Sequence, residues 1–129
     1  MLIRLMLFAV VSALLPCAGS QASQRPGNEV SLIQLIANPE RYEGQTVSVS
    51  GFLHLEFEGN FICLHREDCE QHLYQNSLWV NPSADLRSHI HELNDHYITL
   101  YGQFTAKRGG HMGLWPGELS VSSYIQHGT

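Results

Sequence analysis

His54, Glu56 and His65 are the residues whose types and spacing come nearest to a reactive constellation, and Cys63 and Cys69 lie with them in one stretch, HLEFEGNFICLHREDCEQH. Two imidazoles and a carboxylate on one face could hold a zinc or copper ion and leave one coordination position open. Whether they share a face depends on strand register. Gly59-Asn60 is a favoured two-residue hairpin turn. Taken literally, it pairs Glu58 with Phe61, Phe57 with Ile62, Glu56 with Cys63, Leu55 with Leu64 and His54 with His65. Leu53, Leu55, Phe57, Ile62 and Leu64 then face a core, while His54, Glu56, Cys63 and His65 face away from it. Directly opposed residues hold their Cβ atoms about 4.5 to 5.5 Å apart, close enough for a shared ion. The plainer expectation is a polar, solvated hairpin face with no ion, flanked by the solvated acids Glu58, Glu67 and Asp68.

The cysteines impose their own geometry. Six residues in extended form would span about 20 Å, whereas bridged Cα atoms sit about 5.5 Å apart. A Cys63–Cys69 disulfide therefore requires the chain to reverse, and the polar run Arg66-Glu67-Asp68 is the place for it.

The second candidate is the glycine-rich stretch KRGGHMGLWPG, where Lys107, Arg108, His111, Met112 and Trp115 offer charged, polar and apolar ligand contacts. Loops of this length tend to carry function. The competing expectation is that Leu114 and Trp115 fold back onto the domain. His89 and His91, two apart on a helix, cannot chelate together, and His91 could meet Asp95 across one turn. No serine sits in a nucleophile-elbow pattern. The chain therefore reads as a binding module without catalysis, with a metal-binding protein as the alternative.

The elements that position these groups follow from periodicity. Ser31 caps a short helix with Leu32, Leu35 and Ile36 on one side, stopped before Pro39; Val30 and Leu35 fit a hydrophobic staple. Residues 45–58 alternate, with Val47, Val49, Gly51, Leu53, Leu55 and Phe57 on the buried side, and Gly51 gives room for a bend. Residues 77–81 read as a strand, Ser83 caps a helix with Leu86, Ile90 and Leu93 on its stripe, and residues 96–106 and 118–126 return to strand, the last with Leu119, Val121, Ser123 and Ile125 alternating. A leading helix, three strands, a helix and two more strands match a mainly β, five-stranded OB-like barrel with its helix between strands 3 and 4. An open five-stranded sheet with two helices is the competing arrangement.

The run VSLIQLIANPERYEGQTVSVSGFLHLEFEGN, continued by LWV and GHMGLWPGELS, resembles a group of small, largely uncharacterised bacterial proteins with a leading helix and an OB-like barrel. The likeness covers about residues 30 to 125. It implies the fold and carries no activity with it.

At the front, Arg4 precedes an apolar run from Leu5 to Leu15, then Pro16 and small residues, the layout of a cleavable secretory signal over residues 1–22. The run is about half of the roughly 20 apolar residues a membrane span needs. A lipid anchor at Cys17 would want a small residue where Pro16 stands. Cleavage before Gln21 or Ser23 removes Cys17 and leaves an even pair, as expected of a disulfide-bonded chain in the periplasm or secreted, with no stable membrane insertion. The single mature domain is then 23–129. Seven basic against twelve acidic residues give a net charge of −5, and loss of Arg4 makes it more negative. That balance speaks against a nucleic-acid partner and leaves a protein, peptide or small ligand, of identity the sequence does not specify.

Overall fold

The computed structural model describes residues 27–127, so the signal segment and its cleavage position lie outside the described residues. Six strands form one sheet, in the order β1 (Asn28–Glu29), β2 (Thr46–Leu55), β3 (Asn60–Cys63), β4 (Ser77–Asn81), β6 (Glu118–Gln126) and β5 (His96–Thr105). Pairing of β2 with β5 closes β2 to β6 into a five-stranded barrel of OB type. All neighbours in the barrel are antiparallel except β4 and β6. β1 runs parallel to the first part of β2, on the stretch of edge that β3 leaves free.

Local signals account for most elements. Helix α1 (Leu32–Ala37) is capped by Ser31, whose hydroxyl accepts from the Gln34 amide while the Gln34 side chain accepts from the Ser31 amide. This reciprocal capping satisfies two amides that the first helical turn leaves without intrahelical acceptors. Leu32 and Leu35 are fully buried in the barrel core. A serine cap recurs at Ser83, whose hydroxyl accepts from the Leu86 amide and starts α3 (Ala84–Ser88). The expected single helix breaks at His89 into α3 and α4 (Ile90–Leu93), yet Leu86 and Leu93 still reach the core. Gly51 is required by packing: a Cβ there would lie 2.5 Å from the Cys63 carbonyl oxygen and 2.8 Å from Leu32.

Two expectations about strand faces need correction. The β2–β3 hairpin closes with Leu55 opposite Asn60, so Glu56–Gly59 form a four-residue loop and His54 pairs with Phe61, not His65. Each partner lies four positions earlier than a two-residue turn requires. Because four is even, the faces survive: Leu53, Leu55 and Ile62 are in the core, and Phe52, His54, Phe61 and Cys63 point the other way. Phe57 falls in the loop and is 97% exposed instead of buried. In β6, a bulge places Ser122 between the partners of Tyr101 and Gly102, and the strand changes face beyond it. Ile125, expected on the buried side, is 49% exposed.

The outer face of β2, β3 and β4 is not solvated. Phe52, Phe61, Cys63, Cys69 and Trp115 form a second buried cluster, joined by Tyr74 and Trp79. Helix α2 (Arg66–Glu70) and the 107–117 loop cover this face. Trp115 is 3% exposed, with ring centroids 4.7 Å from Tyr74, 4.9 Å from Trp79 and 5.5 Å from Phe61. Gly110, at φ +71°, passes between the two indoles, and a Cβ there would lie 2.4 Å from Trp115 and 2.5 Å from Trp79.

Candidate functional site

Cys63 ends β3 and Cys69 lies in α2; the two are joined by a disulfide with Cα atoms 5.7 Å apart. The reversal between them is the helical turn of α2 itself. Asp68, expected to be solvated, is buried and organises this turn. Its carboxylate accepts from the His65 amide at 3.0 Å and from Asn76 Nδ2 at 2.9 Å. His65 therefore stands at the start of α2, away from His54.

Above the disulfide lies an open cleft of about 310 Å³, lined by Phe52, His54, Glu56, Arg66, Cys69, Glu70, His72 and Asp95. His54 is its centre. Nδ1 lies 2.8 Å from an Asp95 carboxylate oxygen and Nε2 lies 2.7 Å from a Glu56 oxygen. The ring leans on Phe61, with centroids 5.1 Å apart. Burial of the ring works against its charge, but the hydrogen bonds and negative charges of Asp95 and Glu56 outweigh it and hold the imidazole above the ordinary histidine range. Only the imidazolium can donate through both nitrogens at once.

The Asn94-Asp95 turn reaches this point by docking on β2. The Leu55 amide donates to Asn94 Oδ1 at 2.7 Å, the Asp95 amide donates to the Leu53 carbonyl at 2.9 Å, and Asp95 adopts φ 59°. Asp95 thus serves His54 rather than His91. On the opposite wall, the Arg66 guanidinium lies over the Phe52 ring at 5.2 Å from its centroid, a favourable cation–π arrangement.

Of the proposed metal set, His54 and Glu56 meet and His65 does not join them. Among the described residues no group of three or more His, Cys, Asp or Glu is arranged to hold a metal ion. His65, at the start of α2, stands apart from His54 and Glu56, so the three residues do not come together as the expected set.

The proposed ligand loop divides. Lys107, Arg108, His111 and Met112 are at the surface, Met112 by 83%. Trp115 belongs to the buried cluster and is not offered to a ligand. The loop is braced from within: Gly109 and Trp115 bridge, and Arg108 donates to the carbonyls of Gly113 at 2.7 Å and Leu114 at 3.2 Å. Arg108 and Leu114 border a second depression of about 410 Å³ with His72, Leu73, Tyr74, Gln75 and Asn76. His72, in the left-handed region at φ 54°, lines both depressions and joins them into one face.

Asp95, Arg66, Glu70 and His72 are site residues that sequence reasoning did not select. Asp95 lies forty-one positions from His54, and only barrel closure brings it near. The class defined by fold and site is an OB-like barrel whose outer sheet face is filled by its own aromatic cluster, with a charged cleft over a disulfide. No protein-family model matches the sequence, and no curated protein matches it.

Proposed function

We propose that this chain is an exported binding module, working in the periplasm or outside the cell, that recognises a protein or peptide ligand along the face running from Asp95 through His72 to Leu114. The observation that carries this reading is the pair of adjoining open depressions sharing His72. Small-molecule sites are mostly enclosed and bury most of their ligand. Two open depressions in series suit an extended segment instead. Apolar ground at Leu73 and Leu114 adjoins charge, with the carboxylates of Glu56, Glu70 and Asp95 exceeding the cationic groups of Arg66 and His54 at one end and Arg108 at the other. A ligand with a basic group at one end and an acidic group at the other would match that polarity.

Export is supported by the signal-like segment at residues 1–22 and by the disulfide, which suits an oxidising compartment. Among the described residues no helix is long and apolar enough to cross a membrane.

The test is site-specific photo-crosslinking in cells expressing the protein, with a photoreactive residue at His72, at Leu114 or at Gln45, which borders neither depression. Adducts of the same mass from positions 72 and 114 but not 45 are expected. Absence of adducts at both positions, or equal labelling at all three, would remove this face as the binding site.

A further inference from the structure

Phe57, at 97%, is the most exposed of the large apolar side chains among the described residues. It projects from the Glu56–Gly59 loop between two acids. Glu56 is engaged by His54. Glu58 is exposed and, among the described residues, has no cationic partner within ion-pair distance. Beside the loop lies a depression of about 320 Å³, lined by Leu55, Glu56, Phe57, Asn60, Pro82, Arg87 and Ile90. Arg87 is exposed and donates through Nε to the Pro82 carbonyl at 3.4 Å, with no carboxylate partner among the described residues.

One patch thus carries an aromatic knob with an acid beside it and an apolar socket with a base beside it. Phe57 forms part of the socket's rim and leaves its interior open. A second copy turned by a two-fold axis would bring its own Phe57 over the ground formed by Leu55, Pro82 and Ile90. The same rotation would set Glu58 of each copy against Arg87 of the other. Self-complementarity of this kind is what an isologous interface demands. We propose that the chain pairs with a second copy of itself through the Phe57–Arg87 patch.

The complementary charges favour a second copy over an unrelated partner. The protein carries a net charge of −5, so long-range repulsion between two copies opposes association, and opposed local charges at the contact offset it. This patch supplies both signs. It is small, and interfaces well below about 1,000 Å² give weak, concentration-dependent association. The patch shares Glu56 with the ligand face, but Phe57, Glu58 and Arg87, which the test varies, line neither depression of that face.

Sedimentation analysis of the protein as isolated from expressing cells, from micromolar to millimolar loading, tests it. A monomer–dimer equilibrium is expected, weakened at least about tenfold by Phe57→Ser, because each dimer buries that ring twice. Arg87→Glu should weaken it as well. Adding Glu58→Arg to Arg87→Glu should restore it, since both copies then carry the reversed pair. Unchanged thermal unfolding of Phe57→Ser separates loss of association from loss of fold. A monomer throughout the range, a dimer indifferent to Phe57→Ser and Arg87→Glu, or a double variant no better than Arg87→Glu would overturn the proposal. A monomer that crosslinks through position 57 to a different protein would assign the patch to that partner and overturn it equally.

Discussion

Reducing the Cys63–Cys69 disulfide should loosen one wall of the cleft while leaving the barrel folded. The bridge spans a sequence separation of 6, and closing so short a loop removes chain entropy worth about 2 kcal/mol from the unfolded state. Cys63→Ala with Cys69→Ala should cost somewhat more, about 3 kcal/mol, because both sulfurs are buried against Phe52 and Phe61 and their removal leaves a void. Helix α2 has five residues, too short to persist without its anchors. Arg66 and Glu70, which it carries, should lose their fixed positions first. Urea denaturation of oxidised and reduced protein measures the energy. Amide exchange measures the location: Gln71 and Leu73, which donate to Glu67 and Asp68, should lose protection, while the paired amides of β2 and β5 keep theirs. A loss below about 0.5 kcal/mol on reduction, or simultaneous loss of protection in β2 and β5, would refute this account.

The paired carboxylates around His54 make stability depend on pH. Its folded pKa is raised, so the contribution is fully present below the ordinary histidine pKa and is lost as pH rises through the raised value. Urea midpoints measured across that window should fall with rising pH, and His54→Gln should flatten that part of the profile; an unchanged slope in the variant would assign it elsewhere. Trp115→Ala should cost about 3–5 kcal/mol as the aromatic cluster loses its centre. Trp115→Phe should cost less than Trp115→Ala, because the phenyl ring leaves a smaller cavity and the lost indole Nε1 is buried with no hydrogen-bond partner among the described residues. Equal losses in the two variants, read from chemical denaturation, would contradict that assignment.

Much of the architecture is legible in local sequence. Ser31 and Ser83 mark helix starts because their hydroxyls fill the same capping role wherever a helix begins. The strands at 77–81 and 118–126 have the expected bounds, since alternation is a property of neighbours. What failed was decided by contacts that hydrophobic spacing does not encode. Gly59-Asn60 favours a two-residue turn, but the hairpin closes with Leu55 opposite Asn60, and Phe61 packs on Trp115, far along the chain. Asp68 looks like any surface acid until Asn76 and the His65 amide surround its carboxylate. The bulge at Ser122 has no local mark in an alternating run. For the site, composition singled out His54 and Glu56, while Asp95, Arg66 and His72 became visible only after closure of the barrel.

β2 takes its partners from far apart in the chain: β1 just before it, β3 just after it, and β5, where Ser50 meets Thr99 across a separation of 49 residues. The hairpin of β2 and β3 is cheap to form, whereas the seam with β5 requires a long loop to close first. Such wiring makes for slow folding relative to helical domains of similar size. Until β5 and β6 have emerged, β2 and β4 each present an unpaired edge, a template for joining other chains. A chain truncated before Glu118 would keep the β4 and β5 edges open, so its fate should be aggregation rather than a smaller stable domain.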